Sequence, residues 1–417
     1  MKRVLMVAYH FPPLAGSSGI QRTLRFAQHL PALGWQPLVL SADPRAYELT
    51  SADLMREVPP DMVVRRPFAL DTARHLTLGG RYLAWMARPD RWISWKFAGI
   101  REGRKMIREF RPDVIWSTYP IATAHVIAQA LHRSSGIPWV ADFRDPMAQV
   151  DYPPDPVTRS HFLRIEQGAA ENAALCVFTT PGAAQDYRQR YPLAAERTVV
   201  LENGFDEESF SAASALAPRR SASAGRPLVL LHSGIVYPSE RDPTQLFAAV
   251  GQLLKSGQLQ PDDLRIRFRA AVHDGLLRGL AREHGLDAVI ELAPAIAYRE
   301  ALAEMMAVDG LLVMQASNCN AQIPAKVYEY LRAGTPILGL TDPRGDTAQV
   351  LRDAGLSAIA PIDAIDEISA LLLRFLRDVR DGSAELASAQ AVQAASRQGR
   401  SRSMAELFAR VVGSAQR

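Results

Sequence analysis

Lys326 stands in the first turn of a helix that the sequence marks at both ends. Pro324 suits the first turn, where a missing N–H costs nothing, and Gly334 suits the residue just past the end. A helix start offers unpaired amides and the positive end of a dipole, so an ammonium added there suits a phosphate. Val327, Tyr330 and Leu331 share an apolar face at helical spacing, while Lys326 and Glu329, three apart, share another. A solvated ion pair worth ~0.3 kcal/mol would account for those two charges equally well. A second cluster is ADFRDP, residues 141–146, where Asp142 and Asp145 flank Arg144 at the end of a predicted strand, Pro138–Ala141. Open α/β sheets gather ligands at that end of their strands, which favours function over a helix cap in which Arg144 pairs with Asp145. A third is the loop FPPLAGSSG, residues 11–19, whose Gly16 and Gly19 let amides approach an anion or simply make a strand-to-helix turn. Arg241 adds a cation in the loop 235–243, or a solvated loop charge.

These residues need a frame of alternating strands and helices, and the apolar pattern supplies it twice. Val4–Tyr9 reads as a buried strand, the residues from Ile20 to Pro31 as a helix, and Leu38–Leu40 as the next strand. Asp113–Trp116, Cys176–Thr180 and Val199–Asp206 read as further strands, with a helix carrying His125 after Tyr119-Pro120. The stretch 211–226, SAASALAPRRSASAGR, is biased to Ala and Ser and has no apolar face, so it reads as a linker. From Pro227 the plan repeats, with strands LVLLHSG, Arg265–Ala270, Val289–Leu292, Gly310–Met314 and Thr335–Leu340. Gly275–His284, Tyr298–Val308, Thr347–Ala354, Ala364–Val379 and Met404–Val412 have helical spacing. Two β-α-β arrays in one chain predict two parallel α/β domains.

Composition narrows the function. At 417 residues the chain exceeds one typical core, and 48% hydrophobic with 22% charged content is that of a soluble globular protein. A net charge of +4 suits anionic partners mildly. Cys176 and Cys319 lack metal-type spacing and read as reduced cytosolic residues. The opening apolar run is cut by His10, Pro12 and Pro13, as in a first strand rather than a signal peptide, and no run reaches the ~18 residues that span a bilayer. Residues 81–111 combine Trp85, Trp92 and Trp95 with an excess of Arg and Lys. They would suit an acidic membrane, or a connecting helix with its tryptophans in the core, which is slightly favoured. No nucleic-acid module surrounds them. Asp43 lies where a dinucleotide-binding carboxylate would, but Gly16 and Gly19 supply only the last two glycines of G-x-G-x-x-G, so a nicotinamide enzyme is the weaker expectation.

The string 323–339, IPAKVYEYLRAGTPILG, resembles the donor-site helix of family 4 glycosyltransferases of GT-B fold, matching at Glu329, Gly334 and Pro336. The resemblance implies that Glu329 holds the ribose of a nucleotide-sugar. The family's earlier glutamate, on the transferred sugar, is Ala321 here, with Asn320 and Gln322 beside it as substitutes. The loop with Gly16, Ser18 and Gly19, followed by Gly34-Trp35, resembles the family's N-terminal half, where it lies beside the donor diphosphate. ADFRDP resembles a subset of the family and takes the place of a histidine near the reaction centre. VLENGFD with Phe210 resembles the junction between the domains, and Arg241 falls close to a phosphate-binding lysine, whose companion arginine is Ile235 here.

These four ordered strings imply a GT-B protein of two Rossmann-like, doubly wound domains facing a central cleft. The expected bounds are 1–210 for the N-terminal acceptor-side domain, 211–226 for the linker, 227–395 for the donor domain, and 396–417 for a helix crossing back to the first. The implied reaction is sugar transfer from a nucleotide-diphosphate-sugar, with retention and with no cofactor or metal, consistent with the lack of an Asp-x-Asp motif. Asp142, Arg144, Arg241 and Lys326 are the catalytic candidates; Gly16, Ser18, Gly19, Asn320, Gln322, Pro324, Ala325 and Glu329 are the donor-binding ones. The expected acceptor is a carbohydrate or lipid-linked molecule of cell-surface polysaccharide or glycolipid synthesis. The expected setting is cytoplasmic, with peripheral contact to an acidic membrane and no nucleic acid. A GT-B protein that binds a nucleotide-sugar without turnover is the competing expectation.

Overall fold

Each apolar run that reads as a buried strand is covered on both faces, which is what a parallel sheet flanked by crossover helices requires. The computed structural model describes residues 1–17, 19–79, 81–149, 152–217 and 225–415, in two units, residues 1–203 with 397–417 and residues 204–396.

In the first half the strands are β1 (Lys2–Val7), β2 (Trp35–Leu40), β3 (Val63–Arg65), β4 (Val114–Thr118), β5 (Trp139–Arg144), β6 (Leu175–Phe178) and β7 (Thr198–Val200). Between them lie α1 (Gly19–His29), α2 (Ala52–Arg56), α3 (Thr72–His75), α4 (Trp95–Phe110), α5 (Ala122–Ser135), α6 (Pro156–Asn172) and α7 (Pro181–Arg190). The sheet is parallel in the order β3-β2-β1-β4-β5-β6-β7. The order reverses between β1 and β4, and loops diverge at such a reversal and leave room for a ligand.

The second unit runs α8 (Glu207–Ser214), β8 (Leu228–Ser233), α9 (Thr244–Lys255), β9 (Leu264–Arg269), α10 (Asp274–His284), β10 (Ile290–Ala293) and α11 (Tyr298–Ala307). It continues with β11 (Gly310–Gln315), α12 (Lys326–Ala333), β12 (Ile337–Thr341), α13 (Asp346–Asp353), β13 (Ile359–Ala360), α14 (Ile365–Arg380) and α15 (Ala389–Ala395). Its parallel sheet has the order β10-β9-β8-β11-β12-β13, with the reversal between β8 and β11. The last helix, α16 (Arg397–Ala415), belongs to the first unit.

One face of the first sheet carries Trp95, Met106, Ile127, Leu131, Phe143, Phe178 and Tyr187 in a single core. The other carries Leu24, Phe26, Trp116, Met404 and Phe408, so α16 completes that layer, with Phe408 edge-on to Trp35 at 5.3 Å. Gly103 lets α4 lie close on α5, since a Cβ there would stand 2.5 Å from Leu131 Cδ1.

Three stretches differ from the sequence expectation, the first being Val199–Asp206, which is strand only as far as Val200 in β7. The segment 211–226 is helical as far as Ser214, where Asp206 caps α8 by accepting from Ser209 N and Phe210 is buried; residues 218–224 lie outside the described residues. The terminal helix is longer than Met404–Val412 because its first turns are Arg-, Ser- and Gly-rich and carry no apolar stripe to read.

Candidate functional site

In the second unit the carboxyl end of β8 and the start of α12 meet. Tyr330, on the buried face of α12, accepts a hydrogen bond from Ser233 N at 2.9 Å, which fixes the end of the strand against the helix. Gly234 follows at φ +116°, and a Cβ there would lie 3.0 Å from Lys326 Nζ. A side chain would therefore be strained and would crowd the ammonium. Lys326 Nζ stands 3.3 Å from His232 Nε2. Because His232 Nδ1 lies 3.0 Å from the Leu312 carbonyl and must donate to it, Nε2 carries the lone pair and Lys326 donates. Burial, with Lys326 and Arg241 adding to it, holds the His232 pKa well below its ordinary value. Burial, then the nearby Arg241 charge, pulls Lys326 down to about 7, against a smaller opposing effect of Glu329. Arg241 Nη1 donates to the Ile235 carbonyl at 3.1 Å, and its guanidinium lies 5.2 Å from the Tyr237 ring centroid. Glu329 accepts from the Tyr298 hydroxyl at 2.7 Å. Lys326 and Arg241 are thus brought together and partly desolvated, an arrangement suited to an anion carrying more than one charge.

The remaining donor-side residues divide differently. Asn320 Nδ2 donates to Asp342 Oδ2 at 2.7 Å and the Asn320 carbonyl accepts from Asp346 N, so this residue ties the loop after β11 to the turn after β12. Gln322 is exposed, while its carbonyl accepts from Gln315 Nε2 at 3.0 Å. Pro324 accepts from Val327 N, and Ala325 is the residue before α12. A cavity of about 570 Å³ opens among the loops that follow β8, β11, β12 and β13, lined by Ser239, Asp242, Ala316, Asp342 and Arg344 among others. Lys326, Arg241 and Glu329 do not line it.

In the first unit ADFRDP ends β5. Asp142 is fully buried and receives both Arg22 Nε at 2.9 Å and Arg22 Nη2 at 3.1 Å, with Thr118 Oγ1 at 3.1 Å. Arg22 donates further to the carbonyls of Leu201 and Glu202. The Asp142 carboxylate thereby links α1, β4, β5 and the segment entering ENGFD. The register slips between Asp142 and Arg144, and Arg144 takes φ +64°. Its carbonyl accepts from Thr179 N and Oγ1, and its guanidinium turns to the start of α1, where a Cβ on Gly19 would meet Arg144 Nη1 at 2.7 Å and His10 Nδ1 at 2.5 Å. Ser17 Oγ accepts from Gly19 N and lies 3.1 Å from His10 Nδ1. Gly16 has φ +79°, and Ser18 lies outside the described residues. His10, His232, Arg22 and Tyr298 were not singled out by sequence. A histidine inside the apolar run LVLLHSG and an arginine on the apolar side of α1 were the signals available.

The tryptophans of 81–111 separate by burial. Trp95 is wholly buried, and Trp92 packs 4.8 Å from the Tyr9 ring and donates to the Ala46 carbonyl. The exposed large apolar residues here are Phe97 (75%), Trp85 (68%), Leu83 (61%) and Tyr82 (41%), with Leu78 (90%) just before the segment. No helix among the described residues is long and apolar enough to cross a membrane. Nor do the described residues hold a group of three or more His, Cys, Asp or Glu placed to bind a metal ion.

Residues 18–204 match the family model of a glycosyl transferase 4-like domain. No curated protein matches the chain by sequence. Among solved structures, HepE of Anabaena in complex with UDP is similar with a TM-score of 0.66 at 15% identity, over 98% of this chain and 100% of that one. Sucrose-phosphate synthase of Thermosynechococcus elongatus is similar with a TM-score of 0.64 at 15% identity, over 99% and 100%. The lipopolysaccharide outer core galactosyltransferase WaaB is similar at 0.61 and 11%, over 98% and 99%. The fold is therefore GT-B. The match to the glycosyl transferase 4-like model lies on the first unit, residues 18–204.

Proposed function

We propose that the chain moves a sugar from a nucleoside-diphosphate-sugar, held by the second unit, to an acceptor, with retention and without a metal. The observation that supports this best is the pairing of Lys326 with Arg241 beside the start of α12. Breaking the glycosidic bond leaves a nucleoside diphosphate, and its growing negative charge must be stabilised in the transition state. Lys326, Arg241 and the amides opening α12 supply that stabilisation. Glu329, oriented by Tyr298, receives the ribose, and Asn320, Gln322, Pro324 and Ala325 border the donor. Asp142 acts by holding Arg22 and the start of β5's loop in place, so Arg144 is the residue of that pair left to meet a substrate.

For the acceptor, a lipid-linked or cell-surface saccharide fits the exposed Leu83, Trp85 and Phe97 among the arginines of 81–111, with Leu78 just before them, which suit an acidic membrane surface. WaaB, by its description, acts in the lipopolysaccharide outer core. Flotation with acidic vesicles should be reduced in a Trp85→Ala, Phe97→Ala double variant and unchanged in neutral vesicles; no flotation of the parent chain would remove the membrane from the proposal.

Transfer is tested with a panel of nucleotide-sugars, beginning with UDP-glucose because HepE was solved with UDP. Turnover should survive EDTA and fall roughly a hundredfold in Lys326→Ala. Saturable binding without turnover of any donor would favour the competing reading of a nucleotide-sugar-binding protein.

A further inference from the structure

Arg144 is a cation without a partner in the place where the first unit is most ready for an anion. The Arg144 guanidinium makes no hydrogen bond or ion pair among the described residues, and its Nε is shielded from solvent. Leaving such a donor unmatched is costly, so something outside the chain is expected to complete it. The carboxylates nearby do not: Asp142 is held by both nitrogens of Arg22, and Asp145, whose pKa burial raises, forms no ion pair with Arg144. The guanidinium points at the first residue of α1, an eleven-residue helix with no acidic residue in its first turn. Its positive end therefore adds to the same point. His10 is beside it, pushed down to about 4 by burial and by Arg144, so at neutral pH it is an uncharged imidazole. Arg144 holds φ +64°, a conformation that an arginine adopts only when its surroundings impose it.

We propose that the first unit carries its own anion site, formed by Arg144 and His10 at the positive end of α1, which receives a phosphate or carboxylate group of the acceptor. The site is independent of the transferase reading; its assignment to the acceptor rests on that reading. The same chemistry would also suit the diphosphate of the donor, and the two sources are separable.

The experiment titrates the full chain with inorganic phosphate by calorimetry, alone and with saturating UDP. Asn tolerates a left-handed backbone, so Arg144→Asn removes the guanidinium without imposing new strain, and Arg144→Lys retains a charge. Phosphate binding should weaken roughly ten- to a hundredfold in Arg144→Asn, as expected for lost charge-assisted hydrogen bonds, and less in Arg144→Lys. It should persist in Lys326→Ala and under saturating UDP. Phosphate affinity equal in the parent and Arg144→Asn would overturn the site. Competition between UDP and phosphate that Arg144→Asn abolishes would assign the site to the donor and overturn the acceptor assignment. If UDP fails to bind while phosphate binds through Arg144, the site stands and the donor reading falls.

Discussion

The lowered pKa of Lys326 predicts that donor affinity falls as pH rises through neutrality. In the free protein burial and Arg241 bring Lys326 down to about 7 against a smaller effect of Glu329, and among the described residues its ammonium donates to the neutral His232. A bound diphosphate supplies the missing counter-charge and returns the lysine toward its ordinary value of about 10.4. Above pH 7 the complex then holds more protons than the free protein, so binding takes up a proton and weakens with pH. With a free pKa of about 7 and the bound lysine back at about 10.4, linkage gives a loss of roughly fiftyfold in affinity between pH 7 and pH 9. The same shift acts on folding with the opposite sign. The unfolded lysine keeps its ordinary pKa, so between pH 7 and about 10 the unfolded chain binds more protons and the contribution of Lys326 to stability rises with pH. Calorimetry with UDP-glucose suits the measurement, since its diester phosphates do not titrate in this range, and ionic strength must be constant. Lys326→Arg, permanently charged, should flatten the profile; Lys326→Met should flatten it at lower affinity. A parent Kd that stays within twofold from pH 6 to pH 9, or an unchanged slope in Lys326→Met, would refute the reasoning.

Three further outcomes follow from contacts on the same elements. Arg22→Ala should destabilise the first unit by about 3–5 kcal/mol, because it leaves the buried Asp142 carboxylate uncompensated, and a urea titration reads this directly. If Asp142→Asn instead kept full stability and lost only turnover, Asp142 would be a catalytic residue rather than a positioning one. Tyr330→Phe should cost about 1–3 kcal/mol of stability in the second unit by orphaning Ser233 N–H, and should loosen donor binding through Gly234. Burial raises Cys176 to about 12 and also lifts Cys319, so neither thiol should react with a disulfide reagent until the chain unfolds; rapid modification of the native protein would contradict that burial.

The fold was legible where local signals agree with one another. The run 323–339 combines an apolar helical face, a proline before Lys326 and a glycine past the end, and Gly334 does take φ +64° after α12. Strands such as β4 and β11, buried at every residue, could be read as parallel because no face of them is polar. The sites were less legible, because a side chain's role depends on what arrives from distant parts of the chain. ADFRDP shows two carboxylates around an arginine, yet the partner of Asp142 is Arg22, 120 residues earlier. Sequence spacing offered Asp145 to Arg144 instead. Asn320 reads as a sugar contact by position, while its amide faces Asp342 across the end of the sheet. Trp92 and Trp95 sit among arginines in sequence but turn to Tyr9 and the core, leaving Trp85 and Phe97 outside.

His232 and His10 carry the same physical logic into the two units. Each is an imidazole that burial keeps neutral, set against a cation that a carboxylate would ordinarily accompany. A carboxylate in either position would neutralise Lys326 or Arg144 permanently and remove the reason for an anionic substrate to bind there. A neutral imidazole accepts a hydrogen bond and fills the space without cancelling the charge. Replacing His232 by Glu should therefore raise the pKa of Lys326 and stabilise the free protein near the site while weakening the donor, whereas His232→Gln, neutral and able to accept, should preserve binding. Opposite effects of Glu on stability and on affinity are what separate an arrangement selected for a ligand from one selected for packing.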